Sequence, residues 1–196
     1  MSSEPSVLRR LQRSNPYSQQ NMFLQKLKEI TTFIFDVDGV LTDGSVQVTD
    51  NGQSLRTFNI KDGYAMQLAV KRGYNICIIS GGDGIAMGKR FFNLGVTDVF
   101  LGTGDKVAVF NQYLANKNIT AGEVLYMGDD IPDLKVMKLV GLPTCPADAV
   151  EEIKAISTFI SPYNGGKTAV RDIIEKVMKV QGKWHDENPN AADSGV

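Results

Sequence analysis

The chain has 196 residues, with 21 Lys and Arg against 22 Asp and Glu, which is the length of one domain with a proper core. A formal net charge of −1 excludes the basic excess that nucleic acid or an anionic membrane would select, and leaves a small soluble molecule as the expected partner. Cys77 and Cys145 make no spaced cluster with His185, no apolar run approaches the ~18 residues of a membrane span, and no signal-type stretch opens the chain, so a reduced, cytoplasmic protein without a zinc site is expected.

Residues 1–21 are rich in Ser, Gln, Arg, Asn and Pro and read as a flexible lead-in, with Met22 a candidate natural start. Phe23, Leu24, Leu27 and Ile30 keep roughly helical spacing ahead of the apolar run Thr32-Phe33-Ile34-Phe35. That run stops at Asp36-Val37-Asp38-Gly39, as a buried strand does when it delivers charge at its carboxyl end, and a period of two puts Asp36 and Asp38 on one side. Val46, Val48, Leu55 and Thr57 flank Thr49-Asp50-Asn51-Gly52, the composition of a tight hairpin turn. Asp62 is the expected cap of a helix running to about Arg72, closed by Gly73.

A second buried strand, Tyr74 to Ile79, ends at Ser80-Gly81-Gly82 and leads into a helix over Ile85 to Leu94. A short strand from Asp98 to Leu101 precedes a helix opened by Gly104-Asp105-Lys106, which puts Lys106 in a first turn. Strand Glu123 to Met127 runs into Gly128-Asp129-Asp130-Ile131-Pro132-Asp133, where Pro132 suits the start of another helix. Gly141 to Thr144, a helix around Ala147 to Ala155, a strand from Ser157 to Ile160 and a helix from Thr168 to Val180 complete the alternation. Strand and helix alternating throughout predict a doubly wound parallel α/β sheet with a β-hairpin flap and no large cap domain. The expected organisation is one domain over 22–182, with flexible tails over 1–21 and 183–196.

In such sheets the ligand site lies beyond the carboxyl ends of the strands, where Asp36, Asp38, Ser80, Asp129, Asp130 and Asp133 all fall. A lone Asp-x-Asp is more often a solvated acidic turn, but three strand ends converging on one place argue for a site. Two carboxylates this close need a cation between them or a shared proton, and either arrangement serves phosphoryl chemistry. Gly166-Lys167-Thr168 imitates the end of a P-loop, but the required preceding glycine is replaced by Ser161. Lys167 and Arg171 remain weak candidates for substrate contact.

Asp36-Val37-Asp38-Gly39-Val40, Ser80, Lys106 and Gly128-Asp129-Asp130-x-x-Asp133 resemble the four motifs of the haloacid dehalogenase superfamily of phosphotransferases. Phe58-Asn59-Ile60-Lys61-Asp62-Gly63 and Gly165-Gly166-Lys167-x-Ala169-Val170-Arg171 extend the likeness to the branch of 3-deoxy-D-manno-octulosonate 8-phosphate (KDO 8-phosphate) phosphatases, over about Ile30 to Gln181. The resemblance implies that Asp36 is the nucleophile and that Asp38 protonates the leaving alkoxide and then activates water. It also implies Mg²⁺ held by the side chains of Asp36 and Asp129 and the backbone carbonyl of Asp38, with Asp130 and Asp133 outside the ligand set. Ser80, the Gly81 amide and Lys106 would hold the phosphoryl oxygens. A carboxylate at Asp38 fits a phosphate ester, whose alkoxide needs a proton, better than a halide, which needs none.

The branch usually has Thr-Gly-Arg where this chain has Ser80-Gly81-Gly82, so the arginine expected opposite a sugar-acid carboxylate is absent at position 82 and the sugar is left open, nine-carbon acids included. The resemblance further implies a homotetramer, in which the hairpin covers a neighbour's site, and a role in lipopolysaccharide biosynthesis. The rivals are a phospho-accepting receiver module, whose acceptor follows a later strand, and a retired oligomeric scaffold, against which the complete motif set argues.

Overall fold

The computed structural model describes residues 16–184. Among them, six strands form a parallel sheet: β1 (Thr32–Phe35), β4 (Asn75–Ile79), β5 (Asp98–Phe100), β6 (Val124–Met127), β7 (Leu142–Cys145) and β8 (Phe159–Ile160), in the order β5-β4-β1-β6-β7-β8. Two further strands, β2 (Gln47–Val48) and β3 (Ser54–Leu55), pair antiparallel as the expected hairpin, with Gln47 opposite Leu55. The helices are α1 (Pro16–Glu29), α2 (Ile60–Lys71), α3 (Ile85–Asn93), α4 (Lys106–Lys117), α5 (Leu134–Met137), α6 (Glu151–Ile156) and α7 (Ala169–Val180).

Period-two alternation in the central strands divides the core into two layers. Phe33, Phe35, Ile76, Ile78, Leu125 and Met127 face one side and pack with Leu27 of α1, Met66 of α2, Phe91 of α3 and Ile173, Ile174 and Val177 of α7. Ile34, Cys77, Ile79, Val124 and Tyr126 face the other, against Phe110 and Tyr113 of α4, Val136 and Met137 of α5 and Ile153 of α6. The sheet is therefore covered on both faces, as its continuous apolar strands require.

Several boundaries differ from the sequence expectation. The first helix begins at Pro16, inside the expected lead-in, because a proline at the first helical position gives up a donor that has no partner there anyway. At the other end Trp184 is buried with the first core layer and lies under the Arg171 guanidinium, so the folded part outlasts residue 182; the rest of the two expected tails lies outside the described residues.

The cap of α2 is Asn59, whose side-chain oxygen accepts from Lys61 N, and not Asp62. Asp62 is buried and turns instead to the start of α7, accepting from the backbone of Thr168 at 3.3 Å and Arg171 at 2.7 Å. The helix expected from Ala147 begins only at Glu151, because the amides of Ala147 and Val150 donate to Tyr163 and Asp129 carbonyls and are used up in tertiary ties. No helix among the described residues is long and apolar enough to cross a membrane.

Candidate active site

β1 sits at the point where the strand order reverses: the chain runs outward through β4 and β5, then crosses back to β6 on the other side. Crevices at such switch points open beyond the strands' carboxyl ends. There the structure has a cleft of about 990 Å³ lined by Asp36, Asp38, Ser80, Gly81, Lys106, Asp129 and Asp130 among others. Asp133 is fully buried beneath it. The eight residues of the acidic strand ends, the Ser80-Gly81 turn and the Lys106 helix start are thus brought together.

The Asp36 amide extends the ladder past β1 by donating to the Met127 carbonyl at 3.1 Å. The Val37 carbonyl then accepts from the amides of Val40, Leu41 and Thr42, which folds the chain back and leaves Asp38 at the cleft wall. Gly39 is required in this turn: its φ is +80°, and a Cβ would stand 1.9 Å from Oδ2 of Asp129. Thr42, buried, pins the turn by donating to the Val37 carbonyl at 3.3 Å. Ser80 is buried at the end of β4, where its Oγ accepts from Gly82 N at 3.1 Å, and the Ser80 amide donates to the Phe100 carbonyl at 2.9 Å.

Lys106 opens α4, which is capped by Asp105 through Ala108 N at 3.0 Å. Its Nζ lies 2.8 Å from Oδ2 of Asp36 and 2.7 Å from Oδ1 of Asp133. Asp133 has little capacity left, because Oδ1 also accepts from the Tyr126 hydroxyl at 2.7 Å and Oδ2 from the Asp129 amide at 3.2 Å. Asp130 caps the short turn after β6 by accepting from Ile131 N at 2.7 Å.

Carboxylate oxygens of Asp36, Asp129 and Asp133 all lie within 4.8 Å of one another. One lysine does not balance three carboxylates, and the titration of the group shows it. Burial, with repulsion from Asp36, Asp133 and Asp130, pushes Asp129 up to about 8. Burial and repulsion from Asp133 push Asp36 up to about 6 against the pull of Lys106. Burial works against the Lys106 charge, but Asp133 and Asp36 outweigh it and hold its pKa above the ordinary value. Carboxylates raised this far by burial and by one another have the donor chemistry of a hard divalent cation site.

Three contributors escaped the sequence reading. Tyr126 lies inside an apolar strand run, where the one sequence signal is that a buried tyrosine hydroxyl needs a partner. Thr42 carried no signal beyond its place in the turn. Arg56, just after β3, reaches Asp38 with a fork: Nε to Oδ1 at 2.6 Å and Nη2 to Oδ2 at 3.0 Å. By contrast Lys167 and Arg171 do not line the cleft; Lys167 is exposed near Asp43, and Arg171 lies over Tyr64 and Trp184.

The 3-deoxy-D-manno-octulosonate 8-phosphate phosphatase of Escherichia coli K12 is 34% identical to the chain over 160 residues, which is 82% of this chain and 85% of that protein. The chain belongs to the haloacid dehalogenase superfamily. The superfamily's hydrolase model, described as haloacid dehalogenase-like hydrolase, matches residues 92–174. Among solved structures of this superfamily, the Moraxella catarrhalis KDO 8-phosphate phosphatase in complex with magnesium, phosphate and KDO superposes with a TM-score of 0.81 at 30% identity, covering 84% of this chain and 94% of that one. A cobalt-bound form of the Haemophilus influenzae enzyme gives a TM-score of 0.79 at 31% identity, covering 82% and 94%.

Proposed function

We propose that this phosphoric monoester hydrolase removes phosphate from a phosphorylated sugar acid, with KDO 8-phosphate as the substrate its relatives support best, through an aspartyl phosphate on Asp36. The observation that carries the reading is the placement of Asp36, Asp38, Ser80, Lys106 and Asp129 around one cleft at the switch point of the sheet.

In this reading an Asp36 oxygen attacks phosphorus while Asp38 gives its proton to the departing sugar oxygen. Asp38 then takes a proton from the water that attacks the aspartyl phosphate, and Asp36 is restored. Lys106, Ser80 Oγ and the Gly81 amide hold the phosphoryl oxygens, and Lys106 adds positive charge at a helix start where transition-state charge accumulates. Asp36, Asp129 and the Asp38 carbonyl would hold Mg²⁺, which screens the anionic phosphate from the anionic nucleophile. Asp133 and Tyr126 keep Lys106 in place, and Asp130 shapes the loop that presents Asp129. A different sugar acid, nine-carbon acids included, is the second reading, and Gly82 favours it because it lacks the arginine usual in the KDO 8-phosphate branch.

The catalytic unit is one domain, and its site is completed in a homotetramer by a neighbour's hairpin. The absence of a large insertion and the exposed Val46, Val48 and Leu55 support that arrangement. Two buried free thiols, Cys77 and Cys145, fit a cytoplasmic setting, and the expected part in lipopolysaccharide biosynthesis rests on the KDO 8-phosphate phosphatases the chain is similar to. Phosphate release from a panel of sugar and sugar-acid phosphates, with Mg²⁺ and after chelation, tests the reading. Release from sugar-acid esters only with the metal supports it, and full turnover in metal-free buffer overturns it.

A further inference from the structure

Arg56 is an arginine in an unusual position. It leaves a hairpin whose strands are two residues each, too short to hold itself rigid, yet its side chain is only 9% exposed and both oxygens of Asp38 are taken up by its fork. The space it fills belongs to position 82. A Cβ on Gly82 would stand 2.8 Å from Oδ2 of Asp38 and 2.9 Å from Nη2 of Arg56. Glycine there is what allows a guanidinium from the hairpin to lie against the end of β4, between Asp38 and Gly82, two residues that line the cleft.

The pairing conflicts with the work assigned to Asp38. A carboxylate that gives a proton to a leaving oxygen and then takes one from water must turn an oxygen to the reacting group, and in the fork each oxygen already accepts a bond from the guanidinium that competes for its orientation. Pulling Asp38 away with nothing in exchange strands a mostly buried guanidinium, which is costly. Exchange with a second carboxylate is not, because the planar fork accepts any carboxylate in the same bidentate geometry. Lys106, the buried cation that lines the cleft, is committed to Asp36 and Asp133. Lys135, at the rim, is an exposed ammonium without that geometry.

We propose that Arg56 reads the substrate's carboxylate: a sugar-acid phosphate places its carboxylate in the Arg56 fork, displaces Asp38, and so frees Asp38 for proton transfer. The guanidinium that Gly82 cannot supply comes from the hairpin of the same chain. Selectivity for acids follows from the exchange, since a neutral sugar phosphate leaves Asp38 tied down. This assignment rests on the phosphatase reading above and deepens it.

The test compares kcat/KM for KDO 8-phosphate and for glucose 6-phosphate in wild type, Arg56→Ala, Arg56→Lys and Lys135→Ala. In Arg56→Ala the preference for the acid falls by roughly 100-fold, the loss expected when a charge-assisted bidentate pair is removed. The acid loses, while kcat for the neutral ester rises because Asp38 no longer has to be released. Arg56→Lys keeps the charge and the hairpin's tie to Asp38 but not the fork, and falls between. A readout independent of turnover is inhibition by free KDO, which weakens at least about tenfold in Arg56→Ala while inhibition by inorganic phosphate persists.

Equal losses on both esters in Arg56→Ala and Arg56→Lys, or collapse of the preference in Lys135→Ala instead, overturn the Arg56 assignment. A wild type that releases phosphate from no sugar ester brings down the phosphatase reading itself, which separates the two failures.

Discussion

The Nζ of Lys106 lies 2.8 Å from Oδ2 of Asp36, and both side chains are buried. The lysine is held from below by Asp133, so one cation serves a proposed nucleophile and a structural carboxylate at once. Lys106→Met removes it from both. Breaking a buried pair on one side costs roughly 3–5 kcal/mol because the partner is left uncompensated. Activity should fall by about 10²–10³ or more, the usual loss when a stabiliser of transition-state charge is removed. Urea unfolding and phosphate release on the same preparation measure the two effects. A Lys106→Met protein of wild-type stability shows that Asp133 did not need the pair.

How much of this was legible beforehand depended on the range of the interactions involved. Phe33 to Phe35 and Val124 to Met127 are unbroken apolar runs followed by acids, and their position in the sheet follows from that pattern. Lys106 followed from its place just after Gly104-Asp105 at a helix start. The cap of α2 did not, because Asn59 and Asp62 are equally plausible in sequence, and what decides between them is α7, more than a hundred residues later. Ala147 to Val150 has helical composition but spends its amides on Tyr163 and Asp129. Arg56 follows strands too short to show a period, and no local pattern marks a side chain whose partner is 18 residues away.

Asp36 and Asp38 differ in surroundings in a way that should separate their variants. Asp36 accepts from Val37 N at 2.6 Å and faces Lys106, whereas among the described residues the Asp38 carboxylate is held by Arg56 alone. Asp36→Asn should give no phosphoenzyme. Asp38→Asn should still form some, slowly, and hydrolyse it slowly, because one proton donor and acceptor serves both halves. Rapid-quench trapping of protein-bound phosphate distinguishes them. Covalent phosphate on another residue of the Asp36→Asn protein would remove Asp36 from the role.

Stability should respond to pH in a direction set by Asp129 and Asp36. Their pKa values stand at about 8 and about 6 in the metal-free protein, above an unfolded value of 3.8, so the folded state binds more protons across that interval. The contribution is fully present below pH ~4 and is lost as pH rises through ~6 and then ~8. Asp43, held down by the Ser45 amide, Glu123, by Thr120, and Glu175, by Lys179, have the opposite sign, but they change below the ordinary carboxylate range and leave pH 5–8 clear. The melting temperature of metal-free protein should therefore fall from pH 5 to 8. Saturating Mg²⁺ should flatten the fall, its stabilisation growing with pH as it displaces protons. Differential scanning fluorimetry with and without chelator reads both curves; a metal-free curve that rises over this range contradicts the arrangement of the acids.

Asp62 tests whether the start of α7 depends on a carboxylate from α2. Its two oxygens take the amides of Thr168 and Arg171, and burial raises its pKa against those two bonds. Asp62→Ala leaves both donors without an acceptor and should cost about 1–3 kcal/mol. At roughly 2–4 °C per kcal/mol for a chain of this size, the shift is easily measured. Asp62→Asn, which keeps one good acceptor, should recover part of it. Equal losses in the two variants would mean that the charge, and not the acceptor geometry, holds the helix start.

The hairpin supplies the last prediction. Val46 is 43% exposed, Val48 72% and Leu55 47%, on strands of two residues each that offer one another little cover. An isolated hairpin of this size is marginal in water, and its unpaired edges invite another strand. The occupant we propose is a second copy of this chain, because matching apolar hairpins can cover one another around a closed symmetry axis without leaving a free edge. The same packing would bring a neighbour over the cleft beside Asp38 and exclude bulk water while the sugar departs. Val48→Asp and Leu55→Asp should shift the protein from the proposed tetramer toward monomer in sedimentation or light scattering, and lower kcat/KM with the population of assembled species. Neither residue lines the cleft, so activity should return on raising protein concentration as assembly is restored by mass action. Activity that stays low in fully assembled variant protein, or a wild-type monomer that is fully active at assay concentration, would show that the site does not need a neighbour's hairpin to complete it.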